Sequence, residues 1–327
     1  MAEVCQENQE KGQDIRMQLI NYKATVQYEG TRYKGWQKQP GTENTIQGKL
    51  ETLLARLLET PVEVYGAGRT DAGVHALGQT ASFRVPEDSL IKLLAAPPAG
   101  LQTLLTGEET GGASSMLPSG RKTAQDQALF TALNHYLPDD IAISRLVRAS
   151  DRFHARYLTG SKWYRYQIRT NPVSDVVNRR FLWQYGEALD IERMKEAAGH
   201  LTGCHDFASF CGLKMKKSTV RTVSKIDIHR SGNDLIILDY YGDGFLNHMV
   251  RLMTGELVEA GAGRQSPEAV GEILAQCKKG AASHTAPASG LTLMEARYQV
   301  PALCLALTED RYFVQIFRRK TCVRARV

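Results

Sequence analysis

Polar and apolar residues alternate along YKATVQYEG (22–30), a segment rich in β-branched and aromatic side chains, and this period of two predicts a strand. The next stretch, TRYKGWQKQPGTEN (31–44), is polar and turn-rich. The spacing then changes. In TIQGKLETLLARLLE (45–59) the residues Ile46, Leu50, Leu53, Leu54 and Leu57 recur every three or four positions behind Thr45, which predicts a capped amphipathic helix. PVEVYGAG (61–68) reads as a short strand and HALGQTASFRV (75–85) as a longer one. A β-α-β opening of this length implies a strand returning beside the first.

From about Ala95 to Gln127 the pattern gives way to Gly, Ser, Thr and Pro, the composition of a flexible insertion. FTALNHYLPDDIAISRLVRA (130–149) then predicts a helix, a proline turn and a strand. The second half repeats the alternation: SKWYRYQIRT (161–170) as a strand, DIERMKEAAGHLTG (190–203) as a helix with Gly203 as its C-cap, and TVRTVSKIDIHR (219–230) and DLIILDYYGDG (234–244) as strands. GFLNHMVRLMTGELVEAGAG (244–263) and SPEAVGEILAQC (266–277) predict helices, and LTLMEARYQ (291–299) a closing strand. Each half mixes strands with helices that can cover only one sheet face, so the chain is expected to be α+β and built of two related units joined near residue 158. The expected organisation is a disordered leader (1–18), an N-terminal half (19–157) that carries the insertion, a C-terminal half (158–300) and an extension (301–327) with Arg318, Arg319, Lys320, Arg324 and Arg326.

Composition narrows the function classes. The 327 residues are 43% hydrophobic, enough for about two domains. Lys plus Arg number 41 against 35 Asp plus Glu, a net charge of +6 that suits a polyanionic partner without demanding one. Six cysteines (Cys5, Cys204, Cys211, Cys277, Cys304, Cys322) form no CxxC pair and no zinc spacing, as expected of reduced, mostly buried thiols in a cytosolic protein. The first twenty residues lack the apolar centre of a signal peptide, and no 18 apolar residues run together, so the expectation is a cytoplasmic protein with no membrane segment.

Candidate chemistry concentrates in GAGRTDAGVHA (66–76), where Arg69, Asp71 and His75 stand among small residues. Three readings fit the residues. Asp71 can bond the backbone of a turn in which Gly73 supplies a positive φ. It can join His75 in a metal site, although further ligands are lacking nearby. Or Arg69 and Asp71 face one cleft by the period of two, with small neighbours that let a planar ligand approach.

The whole string closely resembles the signature of the tRNA pseudouridine synthase A family. Further segments resemble that family in the same order: QYEGTRYKGWQKQ (27–39), FHAR (153–156), KWYRY (162–166), HDFASF (205–210), RTV (221–223), FLNHMVRLMTGEL (245–257) and TAPASGL (285–291). The resemblance implies two ferredoxin-like (RRM-like) halves with abutting mixed or antiparallel sheets and helices on one face, the pseudouridine synthase fold. It implies an isomerase that converts uridine to pseudouridine at positions 38, 39 and 40 of the tRNA anticodon stem-loop, flipping the base and using no cofactor and no metal. Asp71 is then the nucleophile, directed at the uracil ring or at the ribose anomeric carbon. Arg251 pairs with it, since a buried carboxylate without a cation tends to protonate. Tyr164 stacks on the base and is a candidate for removing the C5 proton. Arg69 holds the base out or contacts a phosphate, and Leu291 lies under the uracil. The expected partners are tRNA and a second copy of the chain in a homodimer. RNA read by shape and backbone calls for a basic cleft, for which Lys34, Lys38, Lys162, Arg165, Lys214, Lys216 and Lys217 are candidates. His75 and His248 are expected to be structural, and His154 structural or RNA-facing.

Overall fold

The computed structural model describes residues 18–98, 100–102, 123–213 and 218–298. All of the predicted leader but its last residue, most of the predicted insertion, the C-terminal extension and Lys214, Lys216 and Lys217 lie outside the described residues. In chain order the elements are β1 (Leu19–Tyr28), α1 (Ile46–Leu58), β2 (Tyr65–Gly66), β3 (His75–Pro86), α2 (Glu87–Ala95), α3 (Ala124–Tyr136), β4 (Ile141–Arg148), β5 (Thr159–Arg169), β6 (Trp183–Gln184), α4 (Ile191–Leu201), β7 (Gly203–Asp206), β8 (Val220–Ser231), β9 (Leu235–Gly242), α5 (Met249–Gly261), α6 (Pro267–Ala275) and β10 (Leu291–Tyr298).

The fold is α+β, with one sheet ordered β4-β1-β3-β10-β5-β9-β8-β7, β2 beside β3 and β6 beside β5. The strand returning beside β1 is β3, and it runs antiparallel. β10, the last described strand, lies in the middle of the sheet, antiparallel to β5 and parallel to β3 through Thr292 opposite His75 and Leu293 opposite Ala76. That short parallel seam draws the β2–β3 loop of the first half against the second half. Period-two alternation divides the sheet into two faces. On one, Tyr22, Ala24 and Val26 of β1 and Tyr164, Tyr166 and Ile168 of β5 are buried. The helices lie on this side: the Tyr22 hydroxyl donates to Asp126 on α3, and the Tyr240 hydroxyl shares a hydrogen bond with Thr254 on α5.

Several expectations need correction. The strand foreseen over 61–68 shrinks to two residues, and α2 runs over nine residues to Ala95, a helix that was not anticipated. α4 ends on Thr202, while Gly203, at φ +127, opens β7. Of the three described cysteines only Cys211 is buried; Cys204 and Cys277 are exposed, because β7 and the end of α6 lie at the rim of the fold. Among the described residues no helix is long and apolar enough to cross a membrane.

α3 begins with a reciprocal cap between Thr123 and Asp126. Asp126 also accepts from Tyr22 at 2.5 Å and from Arg148 Nε at 2.8 Å, and it is 6% exposed. Burial alone would raise its carboxyl pKa, but the donors Tyr22, Arg148 and Thr123 outweigh burial and hold it below the usual aspartate value. A carboxyl with a lowered folded-state pKa stabilises the fold above its unfolded pKa, and this stabilisation is lost as pH falls through the folded value. Asp126→Asn is therefore expected to lose about 1–3 kcal/mol at neutral pH, with the gap to wild type closing below about pH 4 in denaturant titrations.

Candidate active site

The chain between β2 and β3 is pinned along its length. The Thr70 hydroxyl is bonded to the buried Tyr28 hydroxyl at 2.8 Å, the Thr70 carbonyl accepts from Trp36 N–H at 3.1 Å, and Gln79 Nε2 donates to the Gly68 carbonyl at 2.8 Å. Asp71 then opens a turn in which its carbonyl accepts from Val74 N–H at 3.2 Å and Gly73 sits at φ +80, where a side chain would be strained. The turn with Gly73 at positive φ is present, closed by the Asp71 carbonyl and not by its side chain, which leaves the carboxylate free to face the cleft.

α5 meets this loop from the other half. Its N-cap is His248, held at φ +59, so the helix starts at Met249 rather than at Gly244. That backbone reversal turns two side chains toward Asp71: Asn247 Nδ2 donates to Oδ1 at 3.1 Å, and His248 Nε2 lies 3.6 Å from Oδ2. Arg251, in the first turn of α5, brings Nη1 to 3.6 Å from the same Oδ2. Asp71 and Arg251 are 19% and 16% exposed, so the pair is shielded without being sealed.

Arg251 is aimed by a strap of chain crossing α5. Its Nε donates to the Ala286 carbonyl at 2.8 Å, and the Ala286 N–H returns a bond to the Arg251 carbonyl at 3.1 Å. Glu256, 1% exposed, accepts from the N–H groups of Ser283 and His284 at 2.8 and 3.1 Å, and the Tyr166 hydroxyl donates to the Pro287 carbonyl at 2.7 Å. The strap then delivers Leu291 to the site.

Together these elements enclose a cleft of 560 Å³ whose lining includes Asp71, Arg251, Tyr164, Arg69, Lys162 and Leu291. Tyr164 is 6% exposed and packs edge-to-face against Phe245 at 5.3 Å between ring centres. Burial, with smaller contributions from Tyr28 and Asp71, raises its hydroxyl pKa well above the ordinary value, so the phenol keeps its proton at neutral pH. Arg69 is exposed and donates to Gln37 Oε1 at 3.2 Å. The cleft holds six of the seven predicted site residues.

Arg165 is the exception. Residues 162 and 164 share one face of β5, and 165 takes the other, where its guanidinium is held by Asp239 at 3.0 Å and stacks over Trp163. Lys34 and Lys38 are exposed and off the cleft wall, and Lys38 is paired with Glu51 at 3.2 Å. His75 is buried, accepts from Gly30 N–H at 3.0 Å and has its pKa lowered chiefly by burial. It faces Glu29 rather than Asp71, so the metal pairing is not made, and no metal-binding group of three or more His, Cys, Asp and Glu exists among the described residues. His154 packs between Tyr65 and Tyr157. His248 lines the cleft as well as capping α5, and Asn247, Arg156 and Arg221 are further lining residues that sequence reasoning passed over.

Gly66, Ala67 and Gly68 of GAGRTDAGVHA line the cleft, and the two glycines also make room for side chains of the protein. A Cβ on Gly66 would lie 2.5 Å from the Trp36 indole, and one on Gly68 would lie 2.5 Å from Lys162 Nζ.

A family described as tRNA pseudouridine synthase matches residues 24–158 and 197–299 of this chain. The chain belongs to the tRNA pseudouridine synthase family. It is an enzyme, an isomerase. A protein named tRNA pseudouridine synthase A from Moorella thermoacetica is 39% identical over 278 residues, covering 84% of this chain and 98% of its own. One of the same name from Pelobacter propionicus is 39% identical over 277 residues, with the same two coverages. A protein named tRNA pseudouridine synthase A 2 from Bacillus cereus is 35% identical over 281 residues, covering 86% of this chain and 100% of its own. The matched spans include the loop of Asp71 and the helix of Arg251 but leave out 159–196, so within this synthase Lys162 and Tyr164 are placed in the site by geometry.

Proposed function

We propose that this enzyme converts uridine to pseudouridine at positions 38, 39 and 40 of the tRNA anticodon stem-loop, with Asp71 as the nucleophile acting on a nucleotide swung out of its helix. The observation that carries the reading is the Asp71 carboxylate set inside a concave cleft, with Asn247 donating to one oxygen and the Arg251 guanidinium 3.6 Å from the other. A base stacked in a duplex cannot reach such a group, so the substrate nucleotide has to leave the stack, at a cost of a few kcal/mol. The cleft volume falls in the range that encloses small ligands.

Uridine and pseudouridine are isomers. The C1′–N1 bond breaks, the base turns, C1′ bonds to C5, one proton leaves C5 and one arrives at N1, so no oxidant or group donor is consumed. Arg251 and Asn247 position the carboxylate and offset its charge. Tyr164 places its ring against the base, and its hydroxyl is the candidate for taking the C5 proton. Leu291 supplies an apolar contact, and Arg69, exposed at the lip, occupies the gap left in the stack. The enzyme acts in the cytoplasm as a homodimer whose tRNA cleft draws on both subunits.

The test uses a tRNA transcript with C5-tritiated uridine and no added metal. Tritium release is expected, and mapping of the product should place pseudouridine at positions 38, 39 and 40. Release with pseudouridine confined to other positions would refute the assignment of site, and no release across several tRNAs would refute the reaction.

A further inference from the structure

One wall of the cleft carries three cations, and among the described residues no carboxylate forms an ion pair with any of them. Lys162 reaches it from β5, Arg156 from the turn before β5, and Arg221 from the start of β8. Lys162 Nζ occupies the space over Gly68 and makes no hydrogen bond or ion pair among the described residues. Arg221 Nη1 donates to the carbonyls of Ser218 and Val220, at 3.1 and 2.6 Å. The carboxylate that acts on Lys162, Asp243, is occupied by Thr222 N–H at 3.0 Å. Burial, then the fields of Arg221 and Arg156, push the Lys162 ammonium down to about 8, with Asp243 opposing them. Three cations against the single carboxylate of Asp243 leave an excess of positive charge that suits an anion.

We infer that Lys162, Arg156 and Arg221 form a binding site for a single phosphodiester of the RNA strand, one of the two that flank the target nucleotide. This inference rests on the reading of the cleft as a uridine site. Lys162 touches the loop that carries Asp71, at Gly68, so a phosphate held there fixes the ribose of the nucleotide whose base lies beside the carboxylate. Phosphate contacts of this kind set register and carry no sequence information. They suit an enzyme that must accept the same base at several neighbouring positions.

The experiment measures tritium release from anticodon stem-loop RNA carrying a methylphosphonate, which removes one backbone charge, immediately 5′ or 3′ of the target uridine. Wild type is compared with Lys162→Met, which keeps an unbranched stem of four heavy atoms and removes the ammonium, and with Gly68→Ala. The added methyl of Gly68→Ala displaces only the flexible end of Lys162, and Gly68 has no positive φ, so this variant folds. At one of the two positions the methylphosphonate is expected to raise the wild-type KM about tenfold with kcat little changed. Lys162→Met, with a KM already raised about tenfold on unmodified RNA, should lose nothing further there, and Gly68→Ala should fall between the two. The salt dependence of log(kcat/KM) should be shallower in Lys162→Met by about 0.7–0.9 in slope. For wild type, KM should also rise above pH 8, where the free ammonium is lost. Equal penalties in wild type and Lys162→Met at both positions, or none in either, would overturn the phosphate site while leaving the reaction standing. A wild type inactive on unmodified RNA would overturn the functional reading and this inference with it.

Discussion

Asp71→Asn is expected to give a folded protein that binds tRNA and releases no measurable tritium from C5-labelled uridine. The substitution keeps side-chain volume and leaves an oxygen that can accept from Asn247, which lies 3.1 Å from Oδ1. The loop holding position 71 is fixed through Thr70, Gln79 and Gly73, none of which depends on the carboxylate. Fold stability should therefore shift by no more than about 1 kcal/mol, the scale of one partly exposed charge pair. Catalysis should fall by about 10⁴-fold or more, the scale seen when a nucleophile is removed and binding is kept. An amide oxygen cannot form and release the covalent bond that the mechanism needs. Retention of even a tenth of wild-type release by the variant would eliminate Asp71 as the nucleophile, whatever else the cleft contains.

Legibility in the sequence follows how far each feature depends on local pattern. The α1 helix, its Thr45 cap and the strands β1, β3, β5 and β9 are set by period and by capping chemistry within a few residues, and they stand where the pattern puts them. β2 and α2 are not legible in this way. The apolar residues of 61–68 pack without ladder partners over most of their length, and α2 lacks a side-chain cap to mark its start after Pro86. The residues brought together at Asp71 come from segments more than 170 positions apart, a distance no periodicity can bridge. The family resemblance supplied Arg251 and Tyr164. It did not supply Asn247 and His248, because the run from Gly244 to Gly263 reads as one helix until the left-handed conformation at His248 is seen. The one available signal was an Asn-His pair ahead of the helical stretch, since such residues are enriched at positive φ. Arg165 and Lys162 were given one role although they stand three apart on a strand, and strand alternation alone puts them on opposite faces.

Gly255→Ala runs against helix propensity, and for that reason it tests the strap. Gly255 lies inside α5, where replacing glycine by alanine ordinarily stabilises by about 0.5–1 kcal/mol. Here a Cβ would sit 1.9 Å from the His284 carbonyl oxygen and 2.5 Å from its carbon, and both belong to backbone that cannot rotate away. The strap has to lift. In lifting it strains the bonds of Ser283 and His284 to the buried Glu256 and the reciprocal pair between Ala286 and Arg251. The net cost is expected to be about 3 kcal/mol, read as a lowered denaturant midpoint at unchanged slope. Gly199→Ala in α4 is the control: nothing lies within 4 Å of its Cβ, and it should be neutral or slightly stabilising. The two variants also separate packing from positioning. In the folded fraction of Gly255→Ala, the Arg251 guanidinium has lost the carbonyl that aims it, so single-turnover rates should fall by about tenfold to a hundredfold, whereas Gly199→Ala should match wild type. A Gly255→Ala protein that is destabilised yet fully active once folded would mean that Asp71 does not depend on the Ala286 contact for its guanidinium partner, and the strap would then serve stability alone.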